Sequence, residues 1–286
     1  MKIVVLGGDR RSIKLAELLK YDGYNVQVFG FDRSEVNSLK FSENLYYAIE
    51  NAKIIIGPLP CSEDNILLNT PLYSENIKID EVFEYMTDEQ IFIAGKISDE
   101  VLKKAKANNI LTIDLFNREE MTVLNSIPTA EGAIEIAMKE MDITLHDSKA
   151  MILGFGRIGK ILAKMLQGIG AKVYVEARNY ADLGWIHSYG YNPVHLDKMK
   201  DLIGEMDVVF NTIPSMILTE EVLLELNKDA LVVDLASKPG GVDFEKAKDL
   251  GIKTIWALGL PGKTAPTTAA GILKNTIYNI IEELGV

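Results

Sequence analysis

Two stretches of the chain open in the same way. Residues 2–8, KIVVLGG, and residues 148–154, SKAMILG, are apolar runs that end in glycine. Runs of this length and composition predict strands buried on both faces of a parallel sheet. Each run leads into a helical pattern, Ser12–Lys20 and Ile158–Gly168, and then into a second apolar run, Asn25–Phe29 and Lys172–Val175. The first half continues with strand patterns at Lys53–Ile56, Gln90–Ile93 and Leu111–Asp114, with a helix at Asp99–Asn108. The second half continues with strands at Asp207–Asn211, Leu231–Asp234 and Thr254–Ala257. Its helices fall at Asp182–Tyr189, Lys198–Glu205, Glu220–Leu226 and Phe244–Leu250. Strands alternating with helices specify α/β architecture with doubly wound parallel sheets. We expect two such domains, both Rossmann-like, the first of Rossmann or flavodoxin type.

Between the halves lies TAEGAIEIAMKEMD, Thr129–Asp142. Its Ala133, Ile136, Ala137 and Glu140 are at helical spacing, and Thr129 is a candidate N-cap. Thr264–Leu284 is the last helical stretch. The expected organisation is a substrate domain over 1–128, a connecting helix over 129–145, a dinucleotide domain over 146–263, and a C-terminal helix over 264–286 packed where the domains join. An active cleft between the two sheets is expected, since ligand sites often lie at domain boundaries.

Gly154-Phe155-Gly156-Arg157-Ile158-Gly159 is GxGxxG, and here it follows a strand and opens a helix within a βαβ pattern. That context makes it a dinucleotide-binding fingerprint. Gly154 permits the tight turn, Gly156 lets backbone approach the pyrophosphate, and Gly159 allows close helix–strand packing. The helix N-terminus then presents free N–H groups to the phosphates. The ribose is read about 20 residues on, where the chain has Val175-Glu176-Ala177-Arg178-Asn179. If the strand runs to Ala177, Arg178 and Asn179 take the recognition position, and an Arg there suits the 2′-phosphate of NADP. If it stops at Val175, Glu176 reads the ribose and NAD is favoured. NADP is the preferred expectation, with NAD the alternative. Thr212-Ile213-Pro214 and Ala236-Ser237 follow later strands and are expected to flank the nicotinamide end.

Charged, glycine- or proline-bearing loops follow other strands. They are Gly7-Gly8-Asp9-Arg10-Arg11, Gly57-Pro58-Leu59-Pro60, Gly95-Lys96, Lys238-Pro239-Gly240-Gly241 and the segment Leu258–Pro266. Asn125–Gly132, which contains Ser126, Thr129 and Glu131, precedes the expected connecting helix. Arg10, Arg11, Lys96 and Lys263 would make a shared cleft basic, which suits a carboxylate substrate. Each cation alone could be a solvated surface charge, but their common place after strands argues for a site.

Hydrophobic residues are 48% of the 286 residues and charged residues 25%, as in globular proteins with a substantial core. No apolar run reaches the roughly 18 residues of a membrane span. We expect no signal peptide and no membrane association. The formal net charge of −11 argues against nucleic acid as a partner. Cys61 is the one cysteine, consistent with a reducing cytoplasm. His146, His187 and His195 show no ligand spacing, so no metal is expected. No GxSxG elbow is present. The class expected from the residues is a nicotinamide-dependent oxidoreductase.

GGDRR, NSIPTAEGAI, GFGRIG with EARN, DLASKPGG and LGLPGKTAPTTAAGIL, in that order, resemble the A subunits of dipicolinate synthase from spore-forming bacteria. The last two blocks carry most of the resemblance, which runs nearly the full length. It implies NAD(P)-dependent oxidation of dihydrodipicolinate, or of its 4-hydroxytetrahydro precursor, to dipicolinate during sporulation. It also implies a small dicarboxylate substrate, a flavoprotein-like partner (the B subunit), and the mother-cell cytoplasm as location. Under this resemblance Arg10, Arg11, Ser126, Thr129, Lys263 and Thr264 bind substrate. Lys96 or Glu131 handles the proton, with Lys238 as a further candidate. A homo-oligomer is open. The competing readings are another two-domain dehydrogenase of shikimate, amino-acid or folate type, and a dinucleotide-binding subunit without turnover.

Overall fold

In a computed structural model that describes residues 1–36 and 38–286, the chain divides into two units. The first comprises Met1–Leu124 with Ala265–Val286, and the second Asn125–Thr264.

The first unit holds strands β1 (Lys2–Leu6), β2 (Asn25–Phe29), β3 (Lys40–Phe41), β4 (Ile54–Ile56), β5 (Ile91–Ala94) and β6 (Leu111–Asp114). Among them run helices α1 (Arg10–Tyr21), α2 (Leu45–Ile49), α3 (Ile79–Tyr85) and α4 (Asp99–Ala107). Helix α5 (Glu119–Glu140) leaves this unit and enters the second. There lie β7 (Lys149–Leu153), α6 (Arg157–Ile169), β8 (Lys172–Ala177), α7 (Tyr180–Ser188), β9 (Asn192–His195), α8 (Leu196–Leu202) and β10 (Val208–Asn211). They are followed by α9 (Glu220–Leu223), β11 (Leu231–Asp234), α10 (Phe244–Asp249), β12 (Lys253–Trp256) and α11 (Leu260–Thr264). Helix α12 (Pro266–Leu284) returns to the first unit.

Both sheets are parallel, ordered β3-β2-β1-β4-β5-β6 and β12-β11-β10-β7-β8-β9. Counted from the first strand of each unit, both orders are 3-2-1-4-5-6. This is the Rossmann order, not the flavodoxin one, and it resolves the choice left open for the first unit. Strand order reverses beside β1 and β4 in one unit and beside β7 and β10 in the other, and loops at those carboxyl ends form the binding crevice. The central strands are fully buried, with Ile3, Val4, Val5 and Leu6 at one centre and Ala150, Met151, Ile152 and Leu153 at the other. Each sheet therefore has a hydrophobic cluster on each face. The short edge strands β3 and β9 are not apparent in the sequence. Two residues, or a strand with Pro193 inside it, carry too little periodicity to register.

The connecting helix is longer than expected. It begins at Glu119, ten residues before Thr129, and runs through Pro128. Thr129 is inside it and caps nothing; its hydroxyl donates to the Asn125 carbonyl at 2.9 Å. The amide lost at Pro128 is outweighed by burial of Ala130, Ala133, Ile134 and Ala137 in the core of the second unit. Residues 129–145 are thus not a separate piece. Helix α12, for its part, packs on α1 of the first unit. Asp22, after α1, accepts from Lys274 Nζ and from the Tyr278 hydroxyl, both at 2.7 Å. Arg118 makes two bonds to Glu283, at 2.6 and 2.7 Å.

Candidate functional site

The turn between β7 and α6 is built by its glycines. Gly154 has φ +93°, a left-handed conformation that favours glycine, and a Cβ on it would stand 2.7 Å from Thr212 Oγ1. A Cβ on Gly159 would collide with the Gly154 carbonyl oxygen. Helix and strand can approach this closely only without that side chain. Gly156 differs: a Cβ there would meet no heavy atom within 4 Å. Packing does not require this glycine, so the space above it is what it preserves. Gly156 is also the N-cap of α6 and offers no side chain to the first amides of a 13-residue helix. The equivalent helix of the first unit is closed, because Asp9 caps α1 and accepts from Arg11 N. A carboxylate at that helix start repels phosphate, whereas the start of α6 is open to it.

Strand β8 extends to Ala177, so Arg178 and Asn179 directly follow its end. Arg178 is exposed. Asn179 caps α7, accepting from Asp182 N at 2.7 Å. Glu176 is turned inward at 1% exposure; its Oε2 accepts from Gly154 N at 3.2 Å, and its Oε1 is buried without a partner. Burial pushes the Glu176 carboxyl above its ordinary value, opposed by the Gly154 amide, Arg178 and His195.

Across the sheet, β10 pairs with β7, which brings Thr212 and Ile213 against Gly154. The Thr212 amide and hydroxyl both donate to the Leu153 carbonyl, at 3.0 and 2.8 Å. Beneath these loops is a buried pair that sequence reasoning missed. Asn211 Nδ2 donates to Asp234 Oδ1 at 2.8 Å and to the Ile213 carbonyl at 3.0 Å, while Asn211 Oδ1 accepts from Ile213 N at 3.0 Å. Asp234 also accepts from Ala236 N at 3.0 Å and Gly241 N at 2.9 Å. Both residues are 0% exposed. They shape the Thr212–Pro214 and Ala236–Gly241 loops together, across a cis Lys238–Pro239 bond. Each is the last residue of its strand at this edge, and that register was the available signal. Ser237 and Lys238 stay exposed. On α5 and α11, Gly132 packs against Leu260 and Thr264, which places Glu131 beside the segment that carries Lys263. Glu131 and Lys263 are exposed, and Ser126 is buried.

In the first unit the loops after β1, β4 and β5 converge. Gly95 N donates to the Pro58 carbonyl at 3.1 Å, and Cys61 N to the Gly95 carbonyl at 2.6 Å. Arg11 ties the first loop to the second. Its Nε and Nη2 bind the Asp9 carboxylate at 2.8 to 3.0 Å, and Nη2 also donates to the Leu59 carbonyl at 2.7 Å. At 7% exposure Arg11 clasps the two loops through its Nε and Nη2. Arg10 and Lys96 are exposed and make no ion pair among the described residues. Burial pushes the Cys61 thiol up to about 12, so it remains protonated and unreactive.

The open helix start, the space kept by Gly156 and the close packing at Gly159 fit a dinucleotide. The fold and this site define a nicotinamide-dinucleotide-dependent oxidoreductase built on two Rossmann-type sheets. Residues 125–237 match the family of the D-isomer specific 2-hydroxyacid dehydrogenase NAD binding domain. Residues 2–116 match the N-terminal domain of the dipicolinate synthase A subunit. The chain is 35% identical to the A subunit of dipicolinate synthase of Bacillus subtilis over 99% of its own length and 97% of that protein's. It belongs to the family of dipicolinate synthase A subunits. The crystal structure of the family member from Bacillus halodurans superposes with a TM-score of 0.89 at 31% identity, covering 98% of this chain and 97% of that one. The corresponding structure from Bacillus subtilis gives 0.89 at 32%, covering 100% and 97%. A transhydrogenase from Sinorhizobium meliloti shares the fold, with a TM-score of 0.69 at 18% identity over 98% of this chain and 94% of that one. No helix among the described residues is long and apolar enough to cross a membrane.

Proposed function

We propose that the protein oxidises dihydrodipicolinate to dipicolinate with NADP, as one component of a two-subunit synthase in the mother-cell cytoplasm. The observation that carries this reading is the near-full-length similarity to dipicolinate synthase A subunits, joined to an open dinucleotide loop in the second unit. When bound, the dinucleotide supplies the hydride acceptor.

The chain's own residues have four tasks. The first is to hold the cofactor: the amides at the start of α6, above Gly156, take the pyrophosphate, and Arg178 takes the 2′-phosphate as a fork on an anion. Ala177 places no carboxylate at the strand end, and Glu176 is turned away behind Gly154. That absence of a ribose-reading acid supports NADP over NAD. The second task is to shape the nicotinamide end, which falls to Thr212, Ile213, Pro214, Ala236 and Ser237 over the Asn211–Asp234 pair. The third is to grip two carboxylates. With Arg11 engaged by Asp9, Arg10 and Lys96 are the cations we assign to them. The fourth is to remove the proton that the ring loses on aromatising, for which we assign the exposed carboxylate of Glu131. Aromatisation makes the reaction downhill, so positioning contributes more than acid–base power.

The test combines the purified chain, NADP or NAD, and freshly generated dihydrodipicolinate, with and without the B subunit. Reduced nicotinamide and dipicolinate, the latter measured by chromatography, should appear in equal amounts and faster with NADP. Tight cofactor binding without dipicolinate in either condition refutes the substrate assignment.

A further inference from the structure

Five non-glycine residues among those described have positive φ: Asn51, Asn65, Lys96, Asn109 and Asp147. Four are Asn or Asp, the types whose short polar side chains tolerate the left-handed region. Lys96, at φ +54°, is the exception. A lysine has no local side-chain bond to offset the clash of its Cβ, and glycine or asparagine would serve better if the turn were the only requirement.

What holds Lys96 there is the carboxylate of Asp114, the last residue of β6. Its Oδ1 accepts from Lys96 N at 2.9 Å and from Phe116 N at 2.8 Å, and its Oδ2 accepts from Ile97 N at 2.8 Å. Two successive amides reach one carboxylate because the backbone turns left-handed between them. The turn cannot relax on its other side. A Cβ on Gly95 would stand 2.5 Å from Leu59 Cγ and 2.9 Å from Phe116, and both backbone groups of Gly95 are bonded to the Pro58–Cys61 loop. Lys96 is therefore a joint clamped from both sides, with its side chain exposed and no ion pair among the described residues. The loop it stands on adjoins the Leu59 segment that Arg11 clasps.

We infer that Asp114 is a positioning residue: it holds the Lys96 backbone in the left-handed conformation and so sets the direction in which the lysine side chain leaves the carboxyl edge of the first sheet, from which its ammonium binds a substrate carboxylate. The last part of this rests on the function proposed above. Glycine or asparagine would relieve the strain at this position but would carry no cation.

The experiment uses the full chain and four variants, Lys96→Gly, Lys96→Ala, Asp114→Asn and Lys96→Gly/Asp114→Asn. Three quantities are read: Tm, Kd for dipicolinate on the NADP-loaded protein, and the backbone chemical shifts of residue 96, which report its φ. Lys96→Gly should raise Tm, where Lys96→Ala does not, and should weaken dipicolinate at least tenfold. Asp114→Asn should weaken dipicolinate about as much, leave the NADP Kd unchanged, and move the residue 96 shifts away from left-handed values. Adding Asp114→Asn to Lys96→Gly should cost no further affinity, a non-additivity that a merely structural role would not produce. Positioning is overturned if Asp114→Asn leaves both the shifts and the dipicolinate Kd at wild-type values, or if its loss persists in full in the Lys96→Gly background. If the wild type binds no dipicolinate while the shifts still depend on Asp114, the dicarboxylate reading fails and the backbone clamp stands.

Discussion

Gly156→Ala separates a phosphate site from a merely glycine-rich turn. Gly156 has φ −81° and ψ −163°, an extended conformation open to alanine, and its Cβ would meet nothing within 4 Å. Folding should therefore change by less than about 1 kcal/mol, the scale of an N-cap adjustment. Binding should change far more. The added methyl stands where the pyrophosphate approaches the first amides of α6, and displacing it sacrifices one charge-assisted hydrogen bond, worth about 1.5–3 kcal/mol. That corresponds to a Kd for NADP raised roughly 10- to 150-fold. Gly159→Ala is the contrasting variant. Its Cβ collides with a backbone oxygen of the same turn, so helix or strand must shift, and overpacking of this kind costs about 1–3 kcal/mol of stability. Calorimetric titration with NADP gives the Kd and thermal melts give the stability. The reasoning is refuted if Gly156→Ala binds NADP as the wild type does, or melts as low as Gly159→Ala.

Two further outcomes follow from the end of β8. Arg178→Ala should weaken NADP about tenfold or more, the worth of one charge-assisted bond, and leave NAD nearly unaffected; equal losses for both cofactors would remove Arg178 from the 2′-phosphate. Glu176→Gln should stabilise the fold in a pH-dependent way. A carboxyl whose folded pKa lies above its unfolded value destabilises the native state once it must ionise, so the penalty is absent below the unfolded value of 4.5 and grows as pH rises through the folded one. The Tm gain of the variant should therefore be near zero at pH 4 and larger at pH 8. A gain independent of pH would mean that Glu176 is not ionising against its burial.

Whatever is written in local periodicity can be read from the order of the residues alone. Ten of the twelve strands, the two parallel α/β units and the glycine turn at Gly154–Gly159 are legible, because a buried strand needs an unbroken apolar run and a tight βα turn needs residues without Cβ. The resemblance to dipicolinate synthase A subunits was legible too, in blocks whose order spans the chain. Tertiary structure decided what depends on partners distant in sequence. That Arg11 joins Asp9 to the Leu59 carbonyl, 48 residues away, is visible only in the folded chain. Where β8 ends, and so which way Glu176 faces, is open in the sequence; the register of β8 turns it behind Gly154. The Asn211–Asp234 pair, the start of α5 at Glu119 and the return of α12 to the first unit follow the same rule. A side chain's type shows which bonds it can make, but which bonds it does make is settled by the neighbour that the fold delivers, since a buried polar group must find its partner wherever packing places one.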